Sequence, residues 1–429
     1  MSGSVSDPGP PTAGPSASTS AQAASSQRHR LRRAAVVAAA GALIAGVALW
    51  AGSPDGPRPP DDPAPRRPAD ADGLPHISVE VSRSSCGQGW ERPRPGPQVF
   101  DLHNTSSGAT EVELLDPATG AIHGEVEGLA PGTTRPLRVA LGSGVYAFRC
   151  LPDDADAVTG PTVRVTGGSA PRGPAAVPVT AHDLIPPTLA YQRWIQARTV
   201  ELAQRTDALS DAVDAGDLPA ARRAWLPAHL VYERMGAAYG TFGDADSAIN
   251  GTTAGLPRGL ADPGFAGFHR VEYGLWHGES ATSLRPPANA LARAVRALRD
   301  RWPQERMDPA DLGLRAHEIL ENTVQAELTG RTDYGSGSNL ATARANLDGT
   351  RELLSRLRPL LVTRMPELPR LEAWSDRTQH TLDSFDRNGA WAALNTVTRA
   401  DRQRINSDVG ELVERLAPVA TLCEVRRTS

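Results

Sequence analysis

The spacing of apolar residues in this chain changes once, from a period of two to a period near 3.6, and that change confines it to a β domain followed by an α domain. Between residues 76 and 165 the apolar positions alternate in short runs, at 77–81, 98–102, 111–115, 136–141, 145–150 and 162–165, with Gly, Pro, Asn and Asp between them. Short alternating runs bounded by turn residues are strands with one buried face, and roughly ninety residues of them make a small β-sandwich. The sandwich is expected over 76–166.

A stretch poor in large side chains, GGSAPRGPAAVP at 167–178, ends this pattern, and the linker is placed at 167–180. Beyond it the stripes are helical. Leu189, Ile195, Leu202, Leu209 and Val213 form one that stops at Gly216, and Leu291, Val295, Leu298 and Trp302 form another. Leu340, Ala343, Leu347, Thr350, Leu354, Leu357 and Leu361 alternate steps of three and four, with Asn339 as the expected N-cap and a close around Pro359. Two more stripes run from Leu371 to Phe385 and from Val397 to Leu416. With no strand-like run among them, residues 181–427 predict an all-α antiparallel helical bundle.

Upstream of the sandwich, residues 1–33 are rich in Ser, Pro, Gly and Ala and end in an arginine cluster, Arg28 to Arg33. They predict a disordered cytoplasmic tail. The uncharged run AAVVAAAGALIAGVALWA at 34–51 reaches about 27 Å as a helix, enough for a thin bilayer core. Arginines on its N-terminal side orient a single-pass transmembrane anchor with everything after it outside the cell membrane. The alternative is a cleaved signal, with Arg32-Arg33 as a twin-arginine entry and Gly46-Val47-Ala48 as the cleavage site, which would leave the protein secreted. The proline-rich segment 52–75 then reads as a stalk.

The formal charge of -4 removes the basic surplus that a general nucleic-acid binder needs. All 45 basic residues are arginine, so neither a Walker lysine nor a lysine Schiff base is available. Three cysteines, Cys86, Cys150 and Cys423, form no zinc ribbon.

Chemistry concentrates in GFAGFHRVEYGLW at 264–276. On a helix His269 and Glu272 lie about 60° apart around the axis and roughly 4.5 Å along it, so both reach one cation. Phe268, Val271, Leu275 and Trp276 bury that helix, which turns an imidazole and a carboxylate into an interior that demands a partner. Imidazole with carboxylates suits iron or zinc. Glu233, in a helix with a buried face marked by Trp225, His229 and Tyr232, and Asp244 and Asp246, in the following loop, are further candidate ligands. His317, Glu318 and Glu321 form a third cluster that reads as solvated.

The blocks Tyr232-Glu233-Arg234, Gly267 through Trp276, and Asn339-Leu340 through Asp348-Gly349 resemble the imelysin-like (HxxE) domain of EfeO-type iron-uptake proteins over roughly residues 184–425. The resemblance implies a cupredoxin-like sandwich ahead of the bundle, metal ligands at His269, Glu272, Glu233, Asp244 and Asp246, and a membrane iron permease and secreted haem peroxidase as partners. It also points to Cys86, Cys150, Glu113, Glu125 and Glu127 in the sandwich, as a second metal site for iron or copper or, for the two cysteines, as a disulfide. A blue-copper centre does not fit, because no histidine follows Cys150 at the needed spacing.

Three functions follow. The first is an extracytoplasmic component that captures iron and passes it to a permease. The second is an HxxE zinc metallopeptidase of imelysin type, although HxxE lacks the second histidine of HExxH. The third is a metal-free polymer-binding module.

Overall fold

The computed structural model describes residues 72–168, 170 and 172–426. The expected tail, the 34–51 anchor or signal and all but the end of the stalk lie outside the described residues. Among the described residues no helix is long and apolar enough to cross a membrane.

Among the described residues nine strands form the β domain: β1 (His76–Val81), β2 (Cys86–Gln88), β3 (Gly96–Asn104), β4 (Thr110–Leu115), β5 (Ile122–Leu129), β6 (Thr134–Leu141), β7 (Gly144–Pro152), β8 (Val158–Thr159) and β9 (Val163–Val165). They make two sheets, in the orders β2-β1-β3-β6 and β5-β4-β7-β8, with β9 also paired to β7 and β1 parallel to β3. Alternation supplies the core: Val79, Val81, Phe100 and Leu102 from one sheet meet Val112, Leu114, Phe148 and Cys150 from the other. Trp90, Phe100 and Phe148 interlock edge to face, with ring centroids 4.8 to 5.6 Å apart.

Cys86 and Cys150 form a disulfide, which joins β2 of one sheet to β7 of the other. In the chain-entropy account, a bridge spanning 64 residues adds about 4 kcal/mol. Replacing both cysteines by alanine is therefore expected to lower the sandwich's unfolding midpoint in urea.

Ten helices follow among the described residues: α1 (Ala181–Asp214), α2 (Leu218–Glu233), α3 (Tyr239–Phe242), α4 (Asp244–Asn250), α5 (Gly267–Trp276), α6 (Ala281–Arg301), α7 (Leu312–Asn322), α8 (Asn339–Leu361), α9 (Leu368–Asp383) and α10 (Arg399–Leu422). Thr180 and Asp183 form a capping box that starts α1. α1 packs on α2 and α6, α10 on α7 and α9, and α8 touches both groups. One continuous apolar core runs through them, with Trp225, Trp302 and Tyr191 among its largest members.

Three local expectations are corrected. The segment around Asp244 and Asp246 is the helix α4 rather than a loop. α8 closes at Leu361, beside Pro359 as expected. Ser338, not Asn339, occupies its N-cap position, and the Asn339 side chain is turned to Glu327, to which its amide donates. The helical region also contains strand pairing, a hairpin of two-residue strands, β10 (Asp386–Arg387) and β11 (Ala390–Trp391).

Candidate metal centre

Close packing of four helices, α2, α4, α5 and α8, creates the site. Gly267 has φ 78°, and a Cβ there would lie 2.3 Å from the Ile249 carbonyl oxygen, so only glycine lets α5 begin against the end of α4. A Cβ on Gly349 of α8 would meet the Arg234 carbonyl oxygen at the same 2.3 Å, which brings the end of α2 against α8. Trp225 of α2 donates its indole N–H to the Phe268 carbonyl at 2.9 Å and ties α2 to α5.

His269 and Glu272 are both buried on α5. Glu272 Oε1 accepts from the Tyr334 and Ser336 amides at 3.1 Å each and from the Ser336 hydroxyl at 2.5 Å. Its Oε2 lies 3.2 Å from His269 Nδ1. Burial pushes the Glu272 carboxyl up, but the hydrogen bonds from His269 and Ser336 outweigh it and hold the group below the ordinary glutamate value. An ionised Glu272 makes Nδ1 the protonated nitrogen and leaves the lone pair on Nε2. The two residues of HxxE thus divide their work: the imidazole lines a cavity, while the carboxylate, which does not, orients it.

That cavity, about 240 Å³, is lined by Glu233, Asn250, His269, Glu327, Thr332 and Asn346 among others. Glu233 Oε1 lies 3.0 Å from His229 Nε2 and accepts from the Asn250 amide at 2.7 Å. With its amide nitrogen turned toward the carboxylate, Asn346 donates to Oε2 at 3.0 Å. Burial raises Glu233, yet His229, His269 and Asn250 together hold it below the usual range. Burial lowers His229 in turn, and Glu233 more than restores it. The two form a buried ion pair.

Glu327 comes from a single π-helical turn, Thr323–Glu327, that follows α7. Its Oε1 accepts from the Thr332 hydroxyl at 2.6 Å and its Oε2 from the Asn339 amide at 3.0 Å. Burial, then repulsion from Glu233, pushes its carboxyl up to about 7. Glu318 also lines the cavity but is paired with Arg315 at 2.5 Å, and His317 lies 3.7 Å from Glu321.

The other expected ligands sit elsewhere. Asp246 accepts the Tyr232 hydroxyl at 2.5 Å, and Asp244 is exposed at the start of α4; neither lines the cavity. In the sandwich, Val112 pairs with Cys150 and Glu113 with Arg149, so the disulfide faces the core while Glu113 points to the opposite side of the sheet. The cysteines and glutamates do not form one ligand set. Oxygens of Glu111, Glu113 and Glu125 instead lie within 4.8 Å of one another, the one group of His, Cys, Asp or Glu among the described residues gathered this tightly. Burial, then repulsion from Glu113 and its neighbours, raises Glu111 to about 7.

The family model for imelysin matches residues 188–419, more than half of the chain. The chain belongs to the imelysin family. It is 27% identical over 350 residues to the iron uptake system component EfeO of Yersinia pseudotuberculosis, which covers 81% of this chain and 91% of that protein. The EfeO of Escherichia coli strain K12 is 26% identical over 350 residues, with 81% and 92% covered. An alignment of this length extends beyond the imelysin domain into the β region, and the chain is an EfeO-type protein.

Within the imelysin domain the sequence reading misses Glu327, and a signal for it exists. Leu312, Ala316, Ile319 and Thr323 form a buried stripe, and the next step of four lands on Glu327. A glutamate on an apolar stripe needs partners.

Proposed function

We propose that this chain captures iron outside the cell membrane and delivers it to a membrane permease, with the cavity between α2, α5 and the π turn as the capture site. The observation that carries the reading is that the buried side chains of His269, Glu233 and Glu327 line one cavity, with Glu272 aiming the imidazole from behind. Carboxylate oxygens with one imidazole are a donor set suited to iron; zinc and copper would compete for it, and supply and geometry would select among them. The iron-uptake names of the relatives support the same direction. Asp246 serves as a support through the Tyr232 hydroxyl, and Asp244 is not a ligand, in this reading.

The sandwich is cupredoxin-like in this proposal, with its cysteines closed as a bridge and Glu111, Glu113 and Glu125 offering a second hard-cation site beside Glu127. The 34–51 segment anchors the protein or exports it, and tethering would raise its effective concentration at the permease. A secreted haem peroxidase completes the system.

Elemental analysis of the purified protein before and after chelator stripping tests the reading. The expected result is iron that is lost on stripping and restored on reloading. Retained zinc with cleavage of a protein substrate would favour the metallopeptidase, and absence of any bound metal would favour the metal-free module.

A further inference from the structure

The sandwich and the bundle are joined by a contact that uses one of the three clustered glutamates. Past α10, Val425 pairs with Val179, and the Arg426 amide donates to the Val179 carbonyl at 3.1 Å. The Arg426 side chain then crosses to the outer face of the sheet, where Nη1 lies 2.7 Å from Glu125 Oε1 and 2.8 Å from Glu127 Oε1. Glu125 is also a member of the trio with Glu111 and Glu113. Glu113 is fully buried; its Oε2 takes the Arg149 Nε–H at 2.5 Å, while its Oε1, like the Oε1 of Glu111, has no hydrogen-bond partner among the described residues. One carboxylate, that of Glu125, therefore serves both an interdomain ion pair and a cluster with unspent oxygens.

We propose that Arg426 is a strap that holds the bundle to the sandwich, and that a divalent or trivalent cation bound by Glu111, Glu113 and Glu125 releases it. The inference rests on the proposed reading of the trio as a cation site. A cation that takes the Glu125 oxygen removes one anchor of the guanidinium and places a like charge beside it. The remaining anchor, Glu127, is 65% exposed, and an exposed ion pair of this kind holds little. The Val179–Val425 pairing then loses its side-chain support. Loading of the sandwich would in this way be read out as freedom between the two domains. Coupling of this sort is reciprocal: the strap weakens cation binding by the factor by which the cation loosens the strap.

The test uses the full chain carrying His269→Ala, which removes the imidazole of the bundle site, and terbium(III) as a luminescent hard cation; sensitivity to Glu111→Gln separates terbium held by the sandwich from any held by Glu233 and Glu327. Adding Arg426→Gln is expected to tighten terbium binding on the order of tenfold. Amide exchange across 423–426 is expected to rise on terbium addition while Arg426 is present, and to be fast and unresponsive in the Arg426→Gln protein. If terbium binding is absent, or survives Glu111→Gln unchanged, the cation reading of the trio fails and the strap inference fails with it. If binding is present and sensitive to Glu111→Gln, but equally tight with and without the Arg426→Gln substitution, or if exchange at 423–426 ignores terbium, the strap alone is overturned.

Discussion

His269→Ala is expected to reduce iron affinity at the bundle site by at least about a hundredfold while far-UV circular dichroism stays unchanged. Losing an orienting partner of a metal-binding histidine costs roughly 10–100-fold in affinity, and losing the imidazole itself costs no less. Glu272→Gln provides the graded comparison, because it leaves Nε2 in place and weakens only the hold on Nδ1. The ring of His269 lies 5.1 Å from that of Tyr334 and 5.3 Å from that of His229, so its deletion also leaves a cavity. Such a deletion costs about 2–4 kcal/mol, a loss one buried position imposes without erasing the helices. His269→Gln fills most of the space and separates lost packing from lost ligation. Calorimetric titration showing unchanged affinity in both histidine variants would remove the site assignment.

Much of this arrangement is legible in the sequence where burial and helical period act together. Trp225, His229 and Tyr232 mark the face that carries Glu233, and Phe268, Val271 and Leu275 mark the face that buries His269. The division of labour within HxxE is not legible, because the groups that claim Glu272 come from Tyr334 and Ser336, far along the chain. Asn339 reads as a cap from local preference, yet its amide serves Glu327 and Thr332. A tertiary partner overrides the local rule there.

The sandwich shows the same limits. Its core strands alternate cleanly, whereas β5 is half-exposed along its first four residues and contains two glycines, so it gives no period-two signal. β2 and β8 are too short to give one. Glu113 sits on an outward position of β4 and is nevertheless buried, because its cross-strand neighbours Arg149 and Glu125 flank it and Arg426 reaches across to Glu125 on the same face. Strand alternation reports which face of a sheet a residue takes, and a second domain decides what covers that face.

The pH dependence of capture is expected to pivot on Glu327. Its carboxyl titrates near 7 in the folded protein and near 4.5 unfolded, so the folded chain holds an extra proton between those values. By linkage this group's contribution to stability is fully present below about 4.5 and is lost as pH rises through 7, by an amount on the order of 3 kcal/mol. Iron requires the ionised form, so capture expels the proton, and affinity falls by up to about tenfold for each pH unit below 7. Glu327→Gln copies the protonated acid: its amide nitrogen faces the Thr332 hydroxyl and its oxygen keeps the bond from the Asn339 amide. The variant is expected to bind iron weakly at pH 8, to lose this component of the pH slope, and to be more stable than the parent at pH 8 but not at pH 4.5. The difference in urea midpoint between the two proteins, followed from pH 4.5 to 8, isolates this carboxyl from Glu233 and Glu272, whose lowered values act in the opposite sense. A parent and variant with parallel stability curves and parallel iron-binding curves would show that Glu327 neither holds the proton nor meets the metal.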